Sequence, residues 1–311
     1  MKKLAVLFFA LLFLLCGCGT DSIMTDTAKK YGITEENYPK IDGSTSTLPI
    51  VKRIYSVMYD ENADGYHDAF PETASKTVPS YYKLIDGEVD LIIVPSASND
   101  VLTAAKQKGV ELEFHKIAAE ALIFITPKDN STENITRNQI RDIYLNYGIK
   151  NWRELGGPDK TLVPICRNSD SGSQSQLNNF ILNNEPIHPE IENNFVALTM
   201  EDILYQVADY HTGGKDDTPT NSFALGYTLY AYLKNTDRIT GIGNDLKILS
   251  YEGVAPTDQT VADGSYPLTD GYYAVIRNDI KEDHPTHAII KWLKSENGAA
   301  AITDLGMFPA K

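Results

Sequence analysis

The chain has 311 residues, and its 42 acidic against 28 basic side chains give a formal net charge of −14 at pH 7. A charge of this sign and size disfavours nucleic acid and anionic lipid as binding partners. The length is sufficient for a hydrophobic core that is divided over two lobes. Any anion that this protein binds must therefore be held by local donors, against the overall charge.

The N-terminus predicts a lipoprotein signal peptide over residues 1–17. Two lysines precede a run of twelve apolar residues, which is shorter than the ~20 residues of a membrane-spanning helix. The run ends in LCGC, in which Leu15, Gly17 and Cys18 fit the bacterial lipobox. We expect cleavage before Cys18 and attachment of lipid to its thiol, so that the protein is anchored to the outer face of the cell membrane. A plain secretory signal is the alternative.

The remaining cysteine content agrees with this interpretation. Cys16 leaves with the signal peptide and Cys18 carries lipid, so Cys166 is alone and no intrachain disulfide is expected. Residues 18–37 are polar and lack apolar periodicity. We interpret them as a flexible tether between the lipid and the folded part of the chain.

From residue 38 onward, strand-like and helix-like segments alternate, which predicts an α/β fold with largely parallel sheets. The pattern restarts after the strand ALIFITP, and the strand DLKILSY leads back to the first half. This order predicts two lobes. Their expected limits are residues 38–122 and 246–311 for lobe 1 and residues 123–245 for lobe 2.

Four turns rich in hydroxyl side chains each lie where a helix is predicted to start or a strand to end, the edge at which α/β sheets bind ligands. They are IDGSTSTLPI at 41–50, SKTVPSYYKL at 75–84, VPSAS at 94–98 and CRNSDSGSQSQL at 166–177. The fourth turn adds the fork of guanidinium donors of Arg167 to the N–H groups of a helix start, and both bind oxyanions. An ordinary helix cap explains any one of these turns. Four together, one of them with an arginine, favour a shared anion site.

These turns and the blocks YPLTDGYYAV and WLKSENGAAAITDLGMFP resemble the phosphate-binding lipoproteins of bacterial phosphate ABC transporters, from about residue 38 to the C-terminus. The resemblance implies a two-lobe, type 2 periplasmic-binding-protein-like fold with hinge strands and a ligand cleft between the lobes. It further implies that a monomer captures inorganic phosphate, or a similar tetrahedral oxyanion, by hinge closure and delivers it to an ABC transporter permease.

The resemblance also assigns ligand-binding residues. They are Thr47 with the backbone N–H of Leu48, Thr77, Ser96, Arg167, Ser171, Gly172 and Ser173. Ser96 departs from the better-known members, which have an aspartate in that loop to accept the proton of hydrogen phosphate. A serine hydroxyl is also able to accept a hydrogen bond. Asp42 and Asp170 are the alternative acceptors that the sequence offers.

Other classes of protein have weaker support. The SDSGS stretch is similar to a protease nucleophile turn, but the chain has no G-x-S-x-G and no histidine in a triad context. We therefore expect no enzyme activity and no cofactor. Asp60, Asn62 and Asp64 have the spacing of the first ligands of a calcium loop. A solvated acidic turn is the preferred interpretation, because the glutamate expected at position twelve falls one residue late.

Two further functions stay open at this point. A surface sensor or adhesin could use the same fold without delivering anything to a permease. The cleft could also bind another oxyanion or a small phosphorylated compound, since the donors named above recognise the tetrahedral group that these ligands share.

Overall fold

The computed structural model describes residues 23–60, 68–210 and 221–310; the predicted signal peptide and Cys18 lie outside these ranges. The strands are β1 Ile41–Gly43, β2 Leu91–Pro95, β3 Leu112–Pro127, β4 Asn134–Ile135, β5 Thr161–Pro164, β6 Cys166–Arg167, β7 Val196–Ala197, β8 Ser222–Leu229, β9 Leu246–Tyr251, β10 Thr269–Arg277 and β11 Phe308–Pro309. The α-helices are α1 Asp26–Lys30, α2 Leu48–Met58, α3 Thr77–Ile85, α4 Asn99–Gln107, α5 Arg137–Arg141, α6 Gly172–Leu177, α7 Pro189–Asn194, α8 Met200–Ala208, α9 Tyr230–Thr240, α10 Asp258–Ala262, α11 Pro285–Leu293 and α12 Glu296–Asp304. No helix among the described residues is long and apolar enough to cross a membrane.

The strands confirm the predicted α/β class, but the sheet is mixed rather than largely parallel. Its main path runs β1-β2-β10-β3-β8-β5, and β4, β9 and β11 attach to its side. Parallel pairs join β1 to β2 and β5 to β8, whereas β3 and β10 pair antiparallel with each other and with each of their other neighbours among the described strands. The expectation of largely parallel sheets was wrong because these two long strands run against the short βα units on either side.

Strand β3 is shared by both parts of the molecule. Its sixteen residues pair with β10 from Leu112 to Ala121 and with β8 and β9 from Leu122 to Pro127. The second part is buried on both faces, as expected for a strand covered by helices on each side. We call the part packed around β1, β2 and β10 the first half, and the part packed around β5, β8 and β9 the second half.

Each half has its own hydrophobic core. In the first half, α2 buries Ile50, Ile54 and Met58 at helical spacing against strand β2, which is apolar along its whole length. In the second half, Phe124 of β3 and Trp152 belong to a separate cluster. Strand β9 packs with this second cluster. The lobe limits derived from the sequence stay a prediction.

A buried carboxylate lies where β3 passes from one half to the other. The side chain of Glu120 is fully buried, and its Oε1 accepts the N–H of Ala121 at 2.8 Å and the N–H of Ala231, in the first turn of α9, at 3.0 Å. Burial raises the pKa of Glu120 from 4.5 to about 7, although these hydrogen bonds and the facing hydroxyl of Tyr272 act in the opposite direction. The carboxylate therefore titrates near neutral pH in the folded protein.

Glu120 is predicted to make the stability of the fold depend on pH. Because its pKa is higher in the folded than in the unfolded chain, its stabilising contribution is complete below about pH 4.5 and is lost as the pH rises through 7. The full loss is on the order of 3 kcal/mol. Urea unfolding at pH 5 and pH 8 should show a smaller difference in unfolding free energy for Glu120→Gln than for the unsubstituted protein. The exposed control Glu88→Gln should keep the original difference; an equal pH dependence in both variants would contradict this assignment.

Candidate anion-binding site

A small cavity of about 120 Å³ lies between the two halves, where short strands end. The first half contributes the turn after β1 and the start of α3. The second half contributes the turns after β6 and β7, which are themselves a parallel pair. The residues that line the cavity are Ser44, Thr45, Ser46, Lys76, Thr77, Arg167, Asp170, Ser171, Gly172, Leu198, Thr199 and Met200.

The turn after β1 places serine hydroxyls at the cavity. Strand β1 ends in Gly43, where an added Cβ would lie 2.6 Å from the carbonyl oxygen of Ile93, so only glycine allows β1 to approach β2 this closely. Ser44 and Ser46, which are both buried, follow directly and line the cavity. Sequence reasoning selected the next residue, Thr47, and overlooked these two.

Thr47 and Leu48 lie behind the wall rather than in it. The Thr47 hydroxyl donates to the carbonyl oxygen of Ile93, and the Leu48 N–H donates to the carbonyl oxygen of Ser44 at 2.9 Å. Neither residue lines the cavity. Their role in this structure is to fix the turn that carries Ser44 and Ser46.

Thr77 lies where the sequence predicts it, in the cavity wall at the start of α3, and is buried. Lys76, the residue before the helix, has φ 75° and ψ 171°, a backbone conformation that is almost restricted to glycine. Such a residue costs on the order of 1–3 kcal/mol and persists only where the surroundings fix it. The strained backbone at Lys76 is part of the wall beside Thr77.

Arg167 supplies a buried positive charge to the cavity. The residue is only 6% exposed to solvent. Its Nε donates to the carbonyl oxygen of Ala197 at 3.0 Å, while Nη1 is buried and has no hydrogen-bond partner in the described part of the chain. No carboxylate within residues 23–60, 68–210 and 221–310 forms an ion pair with it. Burial lowers the pKa of Arg167 from 12.5, but arginine stays charged at neutral pH.

A second set of hydrogen bonds fixes the backbone of this arginine. The main-chain N–H of Arg167 donates to the hydroxyl of Tyr227 at 2.8 Å, and that hydroxyl donates to Oε1 of Gln174. Strand β6, strand β8 and helix α6 are thereby tied together at one buried point. The backbone that carries the guanidinium is consequently held in place beside the cavity.

The turn from Ser171 to Ser173 begins α6, as the sequence predicts. Ser171 and Gly172 line the cavity, whereas Ser173 is fully buried and is not among the lining residues. The hydroxyl oxygens of Ser171 and Ser173 are 3.0 Å apart. Ser171 makes no side-chain cap bond, so the first N–H groups of the helix are not satisfied by its hydroxyl.

The acceptor residues proposed from the sequence are placed differently. Ser96 is half-buried after β2 and is not among the residues that line the cavity. Asp42 does not line the cavity either. Its carboxylate accepts the N–H of Ser75 at 3.1 Å and lies 3.6 Å from the Lys83 amine. Asp170 does line the cavity and is partly exposed.

Sequence reasoning missed one wall completely, the segment Leu198–Met200 after β7. Thr199 caps α8 by accepting the N–H of Asp202 at 3.0 Å, and the Asp202 carboxylate accepts the N–H of Thr199 in return. This capping box was a usable sequence signal for a helix start. Two residues of the calcium candidate, Asn62 and Asp64, lie outside the described residues, and Asp60 is exposed. No group of metal-ligating side chains is found among the described residues.

Direct contacts cross the cleft beside the cavity. The amine of Lys76 lies 3.9 Å from the carboxylate of Asp170, and the N–H of Val78 lies 3.5 Å from the Asp170 carbonyl oxygen. Farther along, the side-chain amide of Asn179 donates to the carbonyl oxygen of Ala97 at 2.9 Å. The structure is therefore a closed arrangement of the two halves.

The fold and this cleft define a class of binding protein. A family described as a PBP superfamily domain matches residues 33–296, and the chain belongs to that superfamily. The two-lobe, periplasmic-binding-protein-like fold predicted from the sequence is confirmed.

Individual relatives are more distant. The chain is 28% identical over 198 residues to the phosphate-binding protein PstS of Borreliella burgdorferi, in an alignment covering 62% of this chain and 64% of that protein, a little under two thirds. It is 24% identical over 273 residues to the phosphate-binding protein PstS of Staphylococcus aureus, covering 84% and 75% of the two chains.

Solved structures show the same fold. A candidate phosphate ABC transporter substrate-binding protein from Clostridium perfringens, with bound phosphate, superposes with a TM-score of 0.62 at 21% identity, covering 87% of this chain and 98% of that one. An ABC-type phosphate transport receptor from Vibrio cholerae has the same TM-score at 20% identity, covering 86% and 98%.

Gly172 is predicted to be required for closure of the cleft. A Cβ at this position would lie 2.7 Å from the Thr77 hydroxyl and 2.8 Å from Cγ of Pro95, both in the opposite half. Gly172→Ala should therefore hold the halves apart and weaken binding of a small anion in the cavity by roughly ten- to hundredfold, because the binding-competent closed form is less populated. Calorimetry measures the affinity, and small-angle scattering should show a more open protein. Unchanged affinity together with unchanged dimensions would refute the prediction.

Proposed function

We propose that this protein is an extracytoplasmic, lipid-anchored solute-binding protein that captures inorganic phosphate and delivers it to an ABC transporter permease. The observation that carries the proposal is the buried guanidinium of Arg167, a residue that lines the cavity and whose Nη1 has no hydrogen-bond partner among the described residues. A buried charge without a partner is unfavourable, and a bound anion supplies the missing partner. The names of the relatives in Borreliella and Staphylococcus support phosphate as that anion.

The size of the cavity supports a small inorganic ligand. About 120 Å³ is available, whereas pockets for larger organic ligands measure about 300–1,000 Å³. Most of the lining residues carry a hydroxyl or a charge, Arg167 among them, and none of the lining residues in the described chain is aromatic. This composition suits a tetrahedral oxyanion rather than a sugar or a nucleotide.

Binding and closure are coupled in this proposal. Thr77 and the serines after β1 belong to the first half, while Arg167 and Ser171 belong to the second. An anion in contact with both walls stabilises the closed form by its differential affinity for that form. The permease would then distinguish the loaded protein by its closed shape.

Arg167→Ala is predicted to abolish most of the affinity for phosphate. The substitution removes the fixed positive charge of the site and its charge-assisted hydrogen bonds, each worth about 1.5–3 kcal/mol, so affinity should fall at least tenfold. Calorimetric titration with phosphate measures this change. The matched control is Arg137→Ala, because Arg137 is exposed and does not line the cavity. Phosphate binding that survives unchanged in Arg167→Ala would refute the proposed site.

Cys18→Ala is predicted to release the protein from the membrane. In the proposed lipobox this thiol carries the lipid, so its loss removes the anchor. Fractionation of cells and incorporation of labelled fatty acid measure the effect. Cys16→Ala is the matched control, since Cys16 lies before the cleavage site and should be dispensable. Continued membrane attachment of Cys18→Ala would contradict the proposed anchor.

A further inference from the structure

The segment that precedes β1 is packed against the first half. The hydroxyl of Thr25 accepts the N–H of Ala28 at 3.1 Å, which caps α1, and donates to the carbonyl oxygen of Val57 at 2.5 Å. The main-chain N–H of Thr25 donates to the carbonyl oxygen of Met58 at 3.0 Å. One threonine therefore caps its own helix and joins that helix to the last turn of α2.

Two more main-chain contacts continue this junction past the end of α2. Met24 forms an antiparallel bridge with Tyr59. The N–H of Asp60 donates to the carbonyl oxygen of Ile23 at 2.7 Å. Because these contacts involve consecutive residues on both segments, they fix the register of the two segments as well as their position.

Apolar side chains of the same segment belong to the core of the first half. Met24 is 5% exposed, Ala28 is fully buried and Ile33 is 1% exposed. All three lie in one hydrophobic cluster with Tyr55 and Met58 of α2. Since burial of apolar surface is the main favourable term in packing, core contacts as well as hydrogen bonds hold this segment. We call residues 23–33 the docked arm.

The docked arm differs from the expectation that residues 18–37 form a flexible tether. From Ile23 onward, the contacts described above do not fit that interpretation. The sequence gave no periodic signal here because α1 has only five residues, too few to show a helical repeat of apolar positions.

Docking shortens the connection between the folded chain and the proposed lipid on Cys18. Residues 18–22 remain between that lipid and the first contact of the arm, and in any conformation they span at most about 18 Å. Without docking, residues 18–37 would span up to about 70 Å. The point of attachment would be nearly the same, because the rings of Tyr38 and Tyr59 pack edge to face with centroids 5.1 Å apart. Docking therefore changes the length of the connection rather than its position on the protein.

The arm is attached at the end of α2 that is remote from the cavity. Helix α2 begins at Leu48, two residues after the cavity-lining Ser46, and ends at Met58. At the rise of an α-helix, these two ends are about 15 Å apart. The arm consequently contacts the first half without covering the cleft.

We propose that residues 23–33 are a docked arm through which the lipid on Cys18 holds the end of α2 within about 20 Å of the bilayer. The inference rests on the lipid anchor of the proposed function and adds to it a defined face of the protein next to the membrane. A short connection confines the protein to a thin layer above the lipid. Confinement raises its effective concentration at a permease in the same membrane.

Limited trypsin digestion of the full-length protein tests the docking. Lys29 and Lys30 are exposed, but their main chain lies in α1, so cleavage after them requires the arm to open. Ala28→Asp puts a charge at a fully buried position and should raise the rate of this cleavage by at least roughly tenfold. Thr34→Asp is the matched control, because it adds the same charge at an exposed position and should leave the rate unchanged.

Fluorescence energy transfer tests the distance to the membrane. A dye on Ser56→Cys labels an exposed position of α2, while the remaining thiol of the described chain, Cys166, is buried. The lipidated protein is placed in vesicles of phosphatidylglycerol and phosphatidylethanolamine that contain an acceptor lipid. Transfer should be high for the docked arm and should fall by at least about twofold when Ala28→Asp is added, because the limit of the connection rises from about 18 Å to about 70 Å.

A milder variant makes the test independent of a single buried charge. Thr25→Val removes the hydroxyl that joins the arm to Val57 and should change cleavage and energy transfer in the same directions, to a smaller extent. Far-UV circular dichroism of each variant should stay close to that of the unsubstituted protein, which shows that the rest of the chain remains folded.

The outcomes separate this inference from the proposed function. Equal cleavage rates in Ala28→Asp, Thr25→Val and the unsubstituted protein would overturn the docking. Faster cleavage without any change in energy transfer would overturn the short connection to the membrane. If the unsubstituted protein is absent from the membrane fraction, the proposed anchor at Cys18 is wrong and the inference is overturned with it, a result that leaves phosphate binding untouched.

Discussion

The structure depends on one buried positive charge that has no negative partner among the described residues. Removing a guanidinium from water is costly unless an anion or hydrogen bonds compensate for it. The Nε of Arg167 donates to one carbonyl oxygen, whereas Nη1 has no hydrogen-bond partner among the described residues. The main-chain N–H of Arg167 donates to the Tyr227 hydroxyl and fixes the backbone of this residue. The side chain therefore cannot move away from the cavity through a shift of its backbone. The folded chain therefore keeps one site that favours an anion, although its formal net charge is −14.

This site lies where the two separately packed halves meet. Neither wall encloses the cavity alone, because the hydroxyls of the turn after β1 lie in one half and the guanidinium lies in the other. Strand β3 pairs with strands of both halves, so the two halves are connected through one continuous strand. A ligand that satisfies the arginine in the presence of the serine wall therefore stabilises the closed arrangement more than the open one.

Much of this site could be predicted from local patterns. The sequence around Arg167, Ser171 and Gly172 joins a strand, a turn and a helix within a few residues, and all three lie at the cavity as expected. The βα alternation also predicted the class of fold. It failed for strand direction, since the antiparallel pairing of β3 with β10 joins segments about 150 residues apart and leaves no local signal.

The errors within the site have a similar cause. Thr47 was the residue expected at the cavity. Its hydroxyl instead donates to the carbonyl oxygen of Ile93, 46 positions away, and Ser46 lines the cavity. The segment Leu198–Met200 reaches the site only through the pairing of β7 with β6. Such choices depend on which strand lies beside which, and a single sequence does not show this.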